Sequence, residues 1–238
     1  MRYGYGYYKP QPTVADRQRK AERQLSKLRK KDPDIQPISI EGSKITKTWW
    51  GTAWCKNLER YADYENRIGR GRSYVKNGLV LDLRISEGRI SAMVSGSHVY
   101  EIEITIDRLP DKKWKRITEQ CAKRIDSIAT LVDGKFSKEF QEIFMKQGDG
   151  LFPSPKEIHM DCSCPDWATM CKHVAAALYG AGSRLDADPL LFFTLRGIDP
   201  SVLIKSSVEE RRNALLANAK KRSPRAIDEK DIARIFGV

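Results

Sequence analysis

Apolar side chains recur along this chain with two different periods, and the periods divide it into helices and strands. From residue 48 to residue 61, Trp50, Trp54, Leu58 and Tyr61 fall four, four and three positions apart, a spacing that lines one side of a helix. That stripe reads as core packing, not as a platform for stacking bases. Leu79, Leu81, Leu83 and Ile85 then recur at every second position, Glu87-Gly88 supplies a tight turn, and Ile90, Ala92 and Val94 alternate again. Tyr100, Ile102, Ile104 and Ile106 form a third alternating run. A period of two gives an antiparallel meander one apolar face, and that face needs cover. The cover predicted is a helix that Asp111 can cap, with Trp114, Ile117, Cys121, Ile125 and Ile128 on one stripe. Cys121 belongs to that stripe as core, while Lys112, Lys113, Lys115 and Arg116 point elsewhere.

A shorter helix around Phe140, Ile143 and Phe144 precedes residues 148–155, rich in Gly and Pro, which read as a boundary. Residues 158–161 read as a short strand, and Val174, Ala177 and Leu178 as one side of a compact helix. Asp188-Pro189 and Asp199-Pro200 each read as a cap followed by a first-turn proline, and Ser207 with Glu210 as a capping box. The C-terminal quarter is therefore expected to be helical, ending in a short helix over residues 228–236. At the other end, residues 1–10 mix Tyr and Gly without a period that buries a face. Residues 17–31 carry eight basic residues against the single acid Glu22, with only Leu25 and Leu28 as candidate core contacts. This segment reads either as a solvated helix or linker, or as an arm that orders on a nucleic acid or a partner. Residues 67–76, which contain Arg70-Gly71-Arg72-Ser73-Tyr74, read as a basic loop able to clamp phosphates.

Charge changes the picture of what the surface is for. The 238 residues carry a formal charge of +12 and a pI near 9.5, and clustered Lys and Arg gain affinity for polyanions by releasing counterions. The expected phosphate contacts are Arg70, Arg72, Tyr74, Lys112, Lys113, Lys115, Arg116 and Lys172. No stretch approaches the ~20 apolar residues of a membrane span, and the N-terminus lacks the apolar core of a secretory signal. A cytoplasmic protein without a membrane partner is expected.

The cysteines carry the chemistry. There are five, an odd number, and three of them crowd into ten residues, which is not the layout of a secreted disulfide framework. Cys162-x-Cys164, then Cys171-x-His173, place three thiols and one imidazole within twelve residues. Zinc accepts such a set tetrahedrally, and four ligands in one segment close the shell that a catalytic zinc would keep open. An iron–sulfur cluster would call for four cysteines or a Rieske-type pair, and a redox dithiol for Cys-x-x-Cys. His98 and His159 sit in strand-like stretches and read as ordinary surface or hydrogen-bonded side chains. No metalloprotease, deaminase or nucleotide-binding motif is present, so neither enzyme activity nor a small-molecule substrate is expected.

Cys162-Ser163-Cys164-Pro165-Asp166-Trp167, followed by Cys171-Lys172-His173-Val174-Ala175-Ala176, resembles the SWIM zinc finger, whose pattern is Cys-x-Cys, a variable gap, then Cys-x-His. Trp49-Trp50 with Trp54, the 70–74 segment, and the run from Asp188 to Gly197 resemble prokaryotic SWIM-containing proteins in the same order. In that family the finger serves as a DNA-binding or protein-interaction module, and prokaryotic members are associated with Swi/Snf-type helicase-like ATPases. The resemblance implies an accessory subunit of a DNA-translocating ATPase that binds nucleic acid, DNA sooner than RNA. A protein-interaction adaptor that holds an ATPase or recombination partner without touching DNA is the alternative. The fold expected is α+β: an antiparallel three- or four-stranded meander packed on helices, followed by a small zinc knuckle and a helical C-terminal region. Its divisions are a basic arm (1–35), an α+β domain (36–150), the finger (151–184) and the helical region (185–238).

Overall fold

The computed structural model describes residues 12–59, 65–122 and 137–219. Along the chain come α1 (Val14–Arg29), α2 (Trp49–Glu59), α3 (Glu65–Lys76), β1 (Val80–Ser86), β2 (Arg89–Ser95), β3 (Val99–Ile106), α4 (Asp111–Cys121), α5 (Lys138–Met145), β4 (Ile158–Cys162), α6 (Lys172–Ala187), α7 (Leu190–Leu195) and α8 (Ser201–Ala219). Tyr61, Ile125, Ile128 and residues 1–10 and 228–236, each given a place above, lie outside the described residues.

The fold is α+β, with the strands in the order β1-β2-β3-β4 in one antiparallel sheet. The three alternating runs form the first three strands, and Gly88, at φ +65°, makes the turn between β1 and β2 that a side chain would strain. The fourth strand returns from far along the chain, with Ile158 opposite Ile106 and Cys162 opposite Ile102. It carries Cys162 to the edge of the sheet.

Strand β1 departs from the expected single-faced alternation. Its register against β2 shifts between Val80 and Asp82, so one extra residue is inserted and the side chains on either side of it change faces. Leu83 and Ile85 pack into the main core, whereas Leu79 and Leu81 pack with Ala21, Leu25 and Leu28 of α1. The bulge thereby gives the second face of the sheet its own apolar patch, and α1 covers it. The basic segment read as a solvated stretch or a binding arm is in large part this docked helix. It opens with a capping box, in which Asp16 N–H donates to Thr13 Oγ1 and Thr13 N–H to the Asp16 carboxylate.

On the other face, α6 is the central element. Its small residues let two helices approach closely. A Cβ on Gly71 of α3 would lie 2.5 Å from Ala175 Cβ, and one on Gly51 of α2 would lie 2.6 Å from the Gly182 carbonyl oxygen. Trp54 Nε1 donates to the Leu178 carbonyl at 2.8 Å. The Asp186 carboxylate accepts from the Thr48 N–H at 3.1 Å and from Lys47 N–H, satisfying donors at the start of α2. Trp50 and Trp54 are fully buried, in contact with Phe192 of α7.

These contacts explain the main departure from the sequence reading in this region: residues 67–76 are helical, not a loop. Gly69 and Gly71 weaken helix propensity, but the close approach of Gly71 to α6 outweighs it. In the C-terminal region Ser207 is interior to α8, not a cap, and its hydroxyl donates to the Leu203 carbonyl at 2.8 Å.

Candidate metal centre

Two elements deliver the four candidate ligands. Cys162 ends β4 and Cys164 follows in the loop. Cys171 is the N-cap of α6 and His173 lies in its first turn. The Val174 N–H donates to Cys171 Sγ at 3.5 Å, so the thiol takes the place of the oxygen that usually caps a helix. Cys171 and His173 are buried and Cys162 and Cys164 half-buried.

The four donor atoms all lie within 4.8 Å of one another. His173 turns Nδ1 toward the sulfurs, 4.0 Å from Cys162 Sγ and 3.9 Å from Cys171 Sγ. A tetrahedral ion with Zn–S near 2.3 Å and Zn–N near 2.05 Å would separate sulfur from nitrogen by about 3.6 Å. The arrangement can hold a metal ion once its donor atoms, up to 4.8 Å apart, draw together by as much as about 1 Å, and its donor set is compatible with zinc. The His173 ring, 2% exposed, is oriented by packing, with Tyr100 at 4.4 Å between centroids and Tyr74 edge-on at 5.6 Å. Its Nε2 is buried without a hydrogen-bond partner among the described residues and faces Gly96, where a Cβ would come within 3.2 Å.

The thiols differ in acidity. A hydrogen bond from the Cys162 thiol, with further ones from the His173 ring and the Val174 N–H, holds Cys171 well below the usual thiol range. Cys162 is pushed well above the usual thiol range by that same hydrogen bond to Cys171 and by burial. Cys164 is raised, chiefly by desolvation. A divalent ion would displace the remaining protons and couple its affinity to pH. Cys55 and Cys121 stand outside this set. Both are buried in the apolar core, where burial pushes the Cys55 thiol up to about 12.

The cations expected to meet phosphate do not form one surface. Arg70 and Arg72 are two helical residues apart, so they point to nearly opposite sides of α3. Arg72 donates to Tyr179 Oη at 2.8 Å and pairs with Glu59. Tyr74 packs against His173. Lys112, Lys115 and Arg116 are exposed on α4, with Lys113 half-buried, and Arg116 pairs with Asp149 at 3.1 Å. Arg70 and Lys172, by contrast, come together with Arg17 and Lys20 of α1 around a cleft of about 800 Å³. No residue of α4 lines it.

Two side chains with a clear place in the structure had no role in the sequence reading. Trp167, between the two ligand pairs, is 86% exposed. Its signal was a tryptophan in a polar loop with no periodic partner. Arg196 is 1% exposed and donates to the Asp107 carbonyl and to Glu157 Oε1, both at 2.8 Å. Only Gly197 after it, at φ +62°, hinted at a helix end there. His159 is exposed and pairs with Asp107 at 3.1 Å, and His98 is exposed in the β2–β3 turn.

The chain has a relative among known proteins. It aligns with the "Uncharacterized protein Rv2102" of Mycobacterium tuberculosis over 190 residues at 32% identity, covering 75% of this chain and 68% of that protein. The chain belongs to the family of that mycobacterial protein. No protein-family model matches it, and no solved structure does. Among the described residues, no helix is long and apolar enough to cross a membrane.

Proposed function

We propose that Cys162, Cys164, Cys171 and His173 hold one structural zinc ion, and that the protein is a nucleic-acid-binding accessory factor, acting on DNA sooner than RNA alongside a Swi/Snf-type DNA-translocating ATPase. Three thiolates and an imidazole suit zinc, and a full set of four protein ligands favours a structural role over a catalytic one. The observation that carries the nucleic-acid reading is the gathering of Arg17, Lys20, Arg70 and Lys172 from α1, α3 and α6 around one cleft beside the knuckle. Arg70 and Lys172 form no ion pair among the described residues. The ATPase partner rests on the SWIM resemblance alone.

A protein-interaction adaptor is the second reading, favoured by Val208, Leu215 and Leu216, which are exposed on α8. Titrating the zinc-loaded protein with DNA of several sequences at a series of salt concentrations separates the two. The accessory factor binds at low salt with little sequence preference and loses affinity steeply as salt rises. Absence of binding at low salt, with a stoichiometric protein partner in the preparation from cells, would leave the adaptor.

A further inference from the structure

Exposed tryptophan is costly to leave in water, and Trp167 is almost wholly exposed although its loop is held in place. Cys164 and Cys171 flank that loop. In between, the Asp166 carboxylate accepts from Ala168 N–H at 3.3 Å and from Arg67 Nη2 at 3.0 Å. The ring is therefore presented on an anchored turn, which lowers the entropy lost when something stacks on it.

Arg67 also fixes where the turn lies relative to the cleft. Arg67, Arg70, Ser73 and Tyr74 are spaced three, three and one apart on α3, so they share a face. The last three line the cleft with Lys172, Arg17 and Lys20 across it, and Asp16, paired with Arg19, supplies the one carboxylate of the lining. About 4.5 Å of helix rise separates the cleft residue Arg70 from Arg67, whose guanidinium grips the residue next to Trp167. A cationic channel and an aromatic platform thus follow each other along one helix face. The bases of a duplex are stacked on one another and cannot reach the ring, whereas a recessed cationic path ending in an exposed ring suits an unpaired strand, with phosphates in the cleft and a base on the ring.

We propose that the cleft between α1, α3 and the start of α6 binds the backbone of single-stranded nucleic acid and that Trp167 stacks on one of its bases. This rests on the nucleic-acid reading above and specifies the strand, its path and the stacking residue. The ligand needs no particular sequence, because every base offers a ring face and the four cations of the cleft meet phosphate, which every nucleotide carries.

The test uses full-length, zinc-loaded protein with a short fluorescein-labelled oligothymidylate and a duplex of the same length. The single strand is expected to bind more tightly and to quench tryptophan emission. Trp167→Ala should weaken single-strand binding about five- to a hundred-fold and abolish the quenching, with Trp167→Phe retaining most of the affinity. Combining Arg70→Gln with Lys172→Gln should lower the slope of log K against log salt by about 1.4, at 0.7 for each phosphate released. Unchanged zinc content and circular dichroism show that these surface variants still fold. A duplex preference would overturn the single-strand assignment while leaving the nucleic-acid reading intact. Wild-type affinity in Trp167→Ala would overturn the stacking role, also where the variant releases a protein partner instead, and an unchanged salt slope would overturn the cleft. Failure of both probes to bind at low salt would remove this proposal and the nucleic-acid reading together.

Discussion

Replacing Cys171 with serine, or extracting the metal with a chelator, is expected to lower the thermal midpoint by about 10 °C or more, and the loss should reach beyond the knuckle. Cys171 caps α6, and α6 is the helix on which α2, α3 and the sheet pack. Binding energy at a structural zinc site is coupled to folding and amounts to several kcal/mol or more. At this chain length each kcal/mol moves the midpoint by roughly 2–4 °C. Serine leaves the shape of the side chain nearly unchanged but supplies no thiolate, so the effect reports ligation and not packing. Signals from the buried Trp50 and Trp54 should therefore change with the knuckle. The check is thermal unfolding followed by near-ultraviolet circular dichroism, with and without chelator. A Cys171→Ser protein that melts with wild type, and a wild type indifferent to chelation, would show that the cluster does not hold the fold through a metal.

The second large effect is expected at Arg196. This guanidinium joins α7 to the end of β3 through the Asp107 carbonyl and to the turn before β4 through Glu157. Burial pushes the Glu157 carboxyl up, but hydrogen bonds from Arg196 and Ser154 outweigh it and hold it at about 2. Arg196→Met keeps most of the volume and leaves Glu157 half-buried without its cation, a change that costs about 3–5 kcal/mol when one partner of a buried pair is removed. The double variant with Glu157→Gln should recover part of that loss, and a double-mutant cycle by urea denaturation measures the coupling. Because the folded pKa of Glu157 lies below its unfolded value near 4.5, the pair stabilises the fold fully above about pH 4.5. That contribution is lost as pH falls toward 2, so Arg196→Met should flatten the acid limb of the stability curve. A coupling near zero would mean that Arg196 acts by filling space alone.

What was legible in the sequence followed from patterns that local chemistry enforces. The strands showed through their alternation, the Trp50 stripe through its helical spacing, and the Cys/His cluster through four donors in one short segment. What was not legible depended on tertiary contact. The helicity of residues 67–76 rests on Gly71 meeting Ala175, a partner more than a hundred residues away. The docking of α1 depends on a single-residue bulge in β1 that a period-two pattern cannot reveal, since Leu79, Leu81, Leu83 and Ile85 read as one face until Leu81 and Leu83 are seen on opposite ones. Arg70 and Arg72 looked like one clamp in a loop, and helical geometry sends them apart. Arg196 had no periodic signal of its own, because nothing nearby in the chain announces Glu157, the carboxylate it pairs with.

The most direct test of the central claim is elemental analysis of the purified protein combined with X-ray absorption at the zinc edge. One zinc per chain, with three sulfur neighbours near 2.3 Å and one nitrogen near 2.0–2.1 Å, is the result expected of Cys162, Cys164, Cys171 and His173. A correctly folded protein that contains no zinc, or zinc with a ligand shell other than three sulfurs and one nitrogen, would contradict it.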